Sequence, residues 1–360
     1  MFGSAIYSAY EINVDKEMIT VQQSNHLKSI AVLMMLYLHL FNTLDYQGLF
    51  EPLIYIGSKP FVYYMSLFCD ACVPIFAFVS GYGLYFKYQQ NQSTYWKDNL
   101  SRLKKLYLNY WIILLIFPVG LGLFLNKEGY PGDLFTLVGN VSGLVTSYNG
   151  AWWFFTIYVL FVLTSSFWFR LLDKINVYLY WFGLLFLYLV CFYYRVYDPA
   201  DHNNVALNWT ETQLVLYGCT LFQFMLGAFT LRFSLTEKTK KVLSIIKNKS
   251  FLFVLGTVLL VGMHAAIPNF IVAPFTSFIF IFLFLQLKLN KPSGKLLDFF
   301  SPHATNLWLI HMFFYMVFFS KFIYSFNYIV LIFLALLFCC IFSSLIVNKI
   351  NKAVIKLYRF

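Results

Sequence analysis

The sequence predicts an all-α polytopic membrane protein of about ten transmembrane helices with both termini in the cytoplasm. Hydrophobic residues make up 60% of the 360 residues and charged residues only 11%, well below the roughly 25% of a soluble domain. The hydrophobic residues fall in stretches near the length that crosses a bilayer. The lysine and arginine residues collect between alternate stretches, as the positive-inside rule predicts.

Ten apolar stretches define the predicted crossings, each near the roughly 20 residues that a transmembrane helix needs. In chain order they are 29–45, 61–86, 106–125, 152–172, 177–194, 214–231, 251–266, 270–287, 304–322 and 326–347. Only Ile267, Pro268 and Asn269 separate the seventh from the eighth, and one merged span would give nine helices. The long outer loops, 126–150 and 195–213, could each hold a short re-entrant or surface helix.

The distribution of positive charge favours ten helices over nine. With ten, all 26 lysine and arginine residues lie on one side except Lys59, Lys127, Arg195 and Lys321. The positive-inside rule makes that side cytoplasmic. With nine helices the last two basic groups would move to the other side, and the charge bias would be weaker. The net charge is +11, and the lysine and arginine residues stand in short runs between apolar segments and form no continuous basic stretch. We therefore expect a lipid bilayer and no nucleic acid as partner.

The chain divides into a cytoplasmic N-terminal segment (1–28), a ten-helix membrane domain (29–347) and a basic cytoplasmic tail (348–360). The N-terminal segment is polar and no small-residue cleavage site follows the first apolar run, so that run is expected to remain as a helix. Cys69 and Cys72 have CxxC spacing, but no second pair or nearby histidine completes a zinc site, and no metal is expected.

Ionisable groups deep in a bilayer are costly, which makes His39 a candidate for function. It follows Lys28 by eleven residues, about 16 Å along a helix, which puts it near the middle of the membrane. A purely structural role, a hydrogen bond to a neighbouring helix, is the alternative. His311 lies about eight residues after the cytoplasmic end of the ninth helix, which runs in the same direction as the first. The two imidazoles are therefore expected at comparable depth, where they could form a polar centre.

Two further groups of residues could contribute to a site. The second helix carries Ser80, Gly81 and Tyr82, where glycine permits close backbone approach and the other two supply hydroxyls; such patches also pack helices. At the outer start of the fourth helix stand Trp152 and Trp153, which either anchor the interface or form a platform for a sugar.

A cluster of cations precedes the third helix at the cytoplasmic surface. Arg102, Lys104 and Lys105 could bind anionic lipid or the phosphates of a nucleotide-like donor. The sequence has no GxxxxGK[ST] loop, which disfavours an ATP-driven transporter.

Taken together, these residues resemble the acyltransferase-3 family of membrane O-acyltransferases. The first helix has the family's basic residue, ten intervening positions and histidine, as Lys28 and His39 in LKSIAVLMMLYLH. The second helix has VPIFAFVSGY, similar to the family's apolar run ending in Ser-Gly-aromatic.

Two later motifs extend the resemblance over most of the chain. Arg102 and Lys105 are similar to the family's Arg-x-x-Arg, with lysine in place of the second arginine. This replacement keeps the charge but loses the bidentate fork. The segment NLWLIH, which ends in His311, is similar to the family's late histidine segment.

The resemblance implies a multi-pass protein of the bacterial cytoplasmic membrane that transfers an acyl group, usually acetyl, to a glycan hydroxyl. The donor is cytoplasmic acyl-CoA as a co-substrate, with no tightly bound cofactor, and the acceptor is a cell-surface polysaccharide or a lipid-linked sugar. No oligomeric state follows. His39 would act as general base or acyl carrier. Supporting roles fall to Ser80, Gly81, Tyr82 and His311, and donor binding to Lys28, Arg102, Lys104 and Lys105.

Three other functions compete with this interpretation. A transporter or flippase of a lipid-linked glycan would be expected to show paired repeats and more intramembrane charge. A glycan polymerase normally has a large outer loop with arginine or histidine, whereas 126–150 carries one lysine and no histidine. A non-enzymatic scaffold leaves the ordered motifs unexplained.

Overall fold

The computed structural model describes residues 18–358, except for the side chain at 358. The predictions for 1–17, Lys16 included, and for 359–360 lie outside the described residues. The α-helices are α1 (Val21–Phe41), α2 (Phe61–Phe68), α3 (Cys72–Gln90), α4 (Tyr95–Leu114), α5 (Gly122–Phe124), α6 (Leu134–Ser142), α7 (Trp153–Lys174), α8 (Val177–Val196), α9 (Val205–Arg232), α10 (Leu235–Leu243), α11 (Lys249–Ala266), α12 (Ala273–Phe284), α13 (Lys291–Phe300), α14 (Ala304–Met312), α15 (Ser320–Tyr324) and α16 (Ile329–Tyr358).

Short segments of other geometry connect several helices. The 3-10 turns are Cys69–Ala71, Gly150–Trp152, Phe270–Val272 and Ser301–His303, and the π-helical segments are Leu115–Leu121 and Phe313–Phe318. Strands β1 (Tyr55–Ile56) and β2 (Lys59–Pro60) form a small antiparallel hairpin that the sequence did not predict.

The described residues confirm the all-α polytopic fold. Seven helical stretches are long and apolar enough to span a membrane. They are Phe61–Gln90, Tyr95–Phe124, Gly150–Lys174, Val177–Val196, Val205–Arg232, Lys249–Ala266 and Ile329–Leu357. The other three predicted crossings coincide with α1, with the shorter apolar stretch Phe270–Phe284, and with the run from the 3-10 turn before α14 to the π-helical segment after it. The cytoplasmic position of the termini stays a prediction.

The seventh and eighth predicted crossings are two separate antiparallel helices, which favours ten crossings over nine. Helix α11 ends at Ala266, and the chain reverses before α12. His264 and Thr276 are hydrogen-bonded at 2.7 Å across the hairpin. Further from the turn, Gly256 lies against Leu283.

Several predicted helix boundaries were wrong, because the helices extend beyond their apolar stretches. Helix α1 begins at Val21, where Thr20 and Gln23 form a capping box, so part of the predicted N-terminal segment is helical. Helix α4 begins at Tyr95, so Arg102, Lys104 and Lys105 lie on a helix and not in a loop. Leucine, lysine and arginine are all good helix formers. The predicted basic tail likewise continues α16 as far as the structure describes it.

Helices α3 and α9 cross with their backbones in contact. A Cβ atom on Gly81 would lie 1.7 Å from the carbonyl oxygen of Phe224, and one on Gly227 would lie 2.0 Å from that of Phe78. Only glycine fits at either position, so this crossing is a close-packed joint in the bundle.

The first long outer loop holds the short helix α6 and folds back against the bundle. Tyr110 donates a hydrogen bond to the carbonyl of Asn140 at 2.7 Å, and Tyr107 donates one to Ser142 at 2.9 Å. Thr156 on α7 donates to the carbonyl of Gly143 at 2.7 Å. The end of α6 is thereby fixed next to the start of α7.

Candidate active site

The two histidines singled out in the sequence meet in the structure. His39 Nδ1 and His311 Nε2 are 2.7 Å apart, and the planes of the two rings are nearly parallel, with an interplanar angle of 15°. His39 stands two residues before the end of α1, nearer the outer end of its helix than the middle that the sequence predicted. His311 is fully buried on α14.

The hydrogen bonds assign the tautomers of the neutral pair. His311 Nδ1 lies 2.8 Å from the carbonyl oxygen of Trp308 and 3.1 Å from that of Leu307. Carbonyl oxygens only accept, so Nδ1 of His311 carries the proton and its Nε2 is an acceptor. His39 must therefore donate from Nδ1, which leaves a lone pair on its Nε2. An imidazole held in this tautomer can accept a proton or attack a carbonyl carbon.

Tyr315 completes the surroundings of the pair. Its ring lies parallel to both imidazoles, with centroids 6.3 Å from His39 and 6.0 Å from His311. It stands one turn after His311 in the π-helical segment Phe313–Phe318, a geometry that often occurs at functional sites. Sequence analysis missed Tyr315 because nothing in the pattern distinguishes it from the many other aromatic residues.

His39 lies at the wall of a cavity of about 530 Å³ formed towards the outer ends of the helices. This cavity, called the outer cavity because the sequence predicts these helix ends to face outwards, is also lined by four polar side chains. They are Asn42 after α1, Asp70 in the 3-10 turn Cys69–Ala71, Arg195 on α8 and Gln223 on α9. Its size is within the range of small-molecule sites. A substrate hydroxyl in this cavity could approach Nε2 of His39.

The adjacent tryptophans have different positions. Trp153 lines the outer cavity, and its ring centroid lies 5.5 Å from the guanidinium carbon of Arg195. Trp152 is fully buried and donates its indole N–H to the carbonyl of Leu309 at 2.8 Å. Trp153 is thus available to a substrate, whereas Trp152 ties the start of α7 to α14.

Lys28 and Arg102 lie close enough for their positive charges to repel each other. Both are partly buried, and among the described residues neither has a salt bridge or a hydrogen-bond partner. Lys104 and Lys105 are exposed on the same helix as Arg102. Two neighbouring cations without a carboxylate suit an anionic group such as phosphate.

The Ser80, Gly81 and Tyr82 patch does not line the outer cavity. Ser80 donates its hydroxyl to the carbonyl of Phe76 on its own helix, at 2.7 Å. Tyr82 accepts a hydrogen bond from the backbone N–H of Ile19 at 2.9 Å. Together with the contact of Gly81 on α9, these bonds give the patch a packing role.

The other histidines have structural partners. His264 bonds Thr276, His303 bonds Ser344 at 2.8 Å, and His26 bonds Asp298 at 2.8 Å. His202 pairs with Glu211, and both side chains are partly exposed. Each of these four imidazole rings therefore has a partner within the protein, and none needs a substrate to explain its position.

A ladder of asparagines, which the sequence analysis did not single out, joins α4, α14 and α16. Asn109 donates to Asn306 at 2.7 Å, and Asn306 donates to Ser344 and Asn348, both at 2.9 Å. Buried amide pairs of this kind hold transmembrane helices together. The ladder holds the first turn of α14, which precedes His311, against α4 and α16.

Two residues of the outer cavity carried a signal that sequence analysis passed over. Asp70 is an acidic residue inside the second predicted crossing, and Gln223 is an amide inside the sixth. Polar groups at such positions are functional candidates by default. Arg195 carried a different signal, because it is one of only four cations on the predicted outer side, where basic residues are rare.

The fold and the site define a polytopic membrane protein with a histidine pair at the wall of an outer cavity. A family model for the acyltransferase-3 family, described as an acyltransferase domain, matches residues 21–348. The match covers most of the chain, so this protein belongs to the acyltransferase-3 family and is a membrane acyltransferase. The resemblance seen in the sequence is thereby confirmed. No curated protein and no solved structure gives a significant match.

Proposed function

We propose that the protein is an O-acyltransferase of the bacterial cytoplasmic membrane that uses His39 to transfer an acyl group, usually acetyl, from cytoplasmic acyl-CoA to a glycan hydroxyl. The observation that carries the proposal is the hydrogen bond from His39 Nδ1 to His311 Nε2. It leaves Nε2 of His39 unprotonated at the wall of a cavity that admits an acceptor. Membership of the acyltransferase family supports the acyl transfer itself.

In this mechanism the donor approaches from the side of Lys28 and Arg102, with its phosphates on these cations. Lys28 lies eleven residues before His39 on α1, so the thioester must reach about 16 Å along the helix. The long pantetheine arm of coenzyme A suits that distance. Lys104 and Lys105 add positive charge at the exposed entrance.

The chemical step uses His39 as general base. Nε2 takes the proton of the acceptor hydroxyl while its oxygen attacks the thioester carbonyl. The new C–O bond forms, the C–S bond breaks, and the imidazolium returns the proton to the departing thiolate as CoA–SH. The bond to His311 holds the ring in the required tautomer and strengthens when His39 is charged. Attack by Nε2 to form an acyl-imidazole is the covalent variant of the same step.

The test is the variant His39→Ala, compared in surface-glycan NMR with a deletion strain and the complemented parent. We expect loss of the O-acyl signal, or a fall in the rate of about 10²- to 10⁴-fold, with unchanged abundance in the membrane. His202→Ala removes an exposed histidine away from the cavity and is the matched control. Retained O-acylation in His39→Ala would contradict the mechanism, and glycan movement without acyl-CoA consumption would favour a transporter.

A further inference from the structure

The outer cavity contains more polar groups than the transfer step needs. Of the described residues that line it, Asp70 and Arg195 carry the formal charges. The charge of Arg195 acts on Asp70, yet no oxygen of Asp70 lies within the 4.0 Å of a salt bridge. No described residue donates a hydrogen bond to Asp70. Each group thus keeps hydrogen-bonding capacity for a ligand.

Arg195 packs against two aromatic rings and also interacts with the side chain of Cys219. Its guanidinium carbon lies 4.4 Å from the ring centroid of Phe270 and 5.5 Å from that of Trp153. Phe270 is itself in contact with Phe192, at 4.9 Å between centroids. Contact with aromatic faces leaves the N–H groups at the edge of the guanidinium available as donors.

Gln223 supplies an independent sign of a ligand. The residue is 6% exposed and lines the cavity, and its Oε1 has no hydrogen-bond partner. A buried polar atom without a partner destabilises the folded protein, so such atoms usually have a role. A ligand that donates a hydrogen bond to Oε1 would remove this cost.

We propose that the outer cavity binds a neutral sugar residue of the acceptor, with Asp70 and Gln223 accepting hydrogen bonds from its hydroxyls and Arg195 donating one. The identity of this ligand as acceptor rests on the proposed function. The cavity has one carboxyl group and one guanidinium, so it offers no surplus charge to an anionic or cationic sugar. Hydroxyl groups both donate and accept, and the apolar face of a sugar ring suits the exposed part of Trp153.

Purified protein in nanodiscs can be tested with methyl glycosides of neutral hexoses and the matching methyl uronosides as probes. The readouts are glycoside-dependent release of CoA from acetyl-CoA, and the shift in melting temperature that each glycoside causes without donor. The variants are Asp70→Asn and Arg195→Gln. Lys127→Gln, an exposed outer cation away from the cavity, is the control.

We expect the half-saturating concentration of neutral glycoside to rise about tenfold or more in each cavity variant. The reason is that each variant loses one hydrogen bond between a charged group and the sugar. The KM for acetyl-CoA should stay unchanged, which separates a lost contact from misfolding. Arg195→Lys, which keeps the charge without the planar fork, should fall between wild type and Arg195→Gln. Lys127→Gln should behave as wild type.

Two results would overturn the inference. Preference for the uronosides, lost in Arg195→Gln alone, would identify an anionic acceptor. CoA release with equal glycoside dependence in all variants would refute the sugar site while acyl transfer stands. The converse result, a melting shift by neutral glycosides that the cavity variants abolish but no CoA release, would support the sugar site and refute the proposed function.

Discussion

The histidine pair and the Ser-Gly-Tyr patch are both small groups of polar residues set in apolar helices. His39 and His311 bond each other and leave one nitrogen without a described partner, at the wall of a cavity. In the patch, Ser80 and Tyr82 bond backbone groups, and Gly81 touches α9. From this difference we infer that a hydrogen-bond donor or acceptor without a partner in the protein indicates a substrate-binding residue better than polarity alone does. Three substitutions test that distinction.

The largest expected effect is at His311. The variant His311→Phe keeps a ring in the buried space but removes the acceptor that fixes the tautomer of His39. We expect the transfer rate to fall about 10²- to 10⁴-fold, measured as CoA release from acetyl-CoA with acceptor present. The double variant with His39→Ala should be no slower than His39→Ala alone, because the two rings act as a unit.

A purely structural role for the pair predicts another result. His311→Phe would then lower the melting temperature and leave the rate per folded molecule unchanged. That outcome would move the histidines into the same class as the Ser-Gly-Tyr patch.

A change within the patch should act on stability. Gly81→Ala places a methyl group 1.7 Å from the carbonyl oxygen of Phe224 and forces α3 and α9 apart. We expect a loss of about 1–3 kcal/mol in the free energy of unfolding, seen as a lower melting temperature in detergent. The rate per folded molecule should fall much less than in His311→Phe.

Gly83 in the same helix is the matched control. A Cβ atom there meets nothing within 4 Å. Gly83→Ala should be neutral or slightly stabilising, because alanine is the better helix former by about 1 kcal/mol. Equal destabilisation by both substitutions would contradict the backbone contact as the cause.

The smallest of the three effects is expected at Arg102. Among the described residues Arg102 has no salt-bridge or hydrogen-bond partner, as is true of Nε2 of His39. We therefore expect Arg102 to bind a ligand. Arg102→Gln should raise the KM for acyl-CoA about tenfold, with kcat unchanged, since one hydrogen bond to a charged group is lost. Lys97→Gln, an exposed change on the same helix, should leave the KM unaltered. A KM that instead follows the anionic lipid content of the nanodisc would identify a lipid site.

Much of the fold was predictable because the bilayer imposes a length and an apolar composition on each crossing. The comparable depth of His39 and His311 also followed from helix direction and spacing, whereas their direct hydrogen bond is a finding of the structure. The starts of α1 and α4 did not, since these helix ends are polar and depend on caps and helix propensity. The contacts of Arg195 with Trp153 and Phe270, and of Tyr315 with His39, could not be predicted because they join distant segments.

The close contact of α3 with α9 has a consequence for how the protein is made. The crossing joins Gly81 to Phe224, which are separated by the whole of α4 to α8. It can form only after that intervening chain has left the ribosome and entered the bilayer. Until then α3 is in the membrane without its contact on α9. Assembly of the bundle is therefore a late event, and the synthesis of α9 sets its earliest moment.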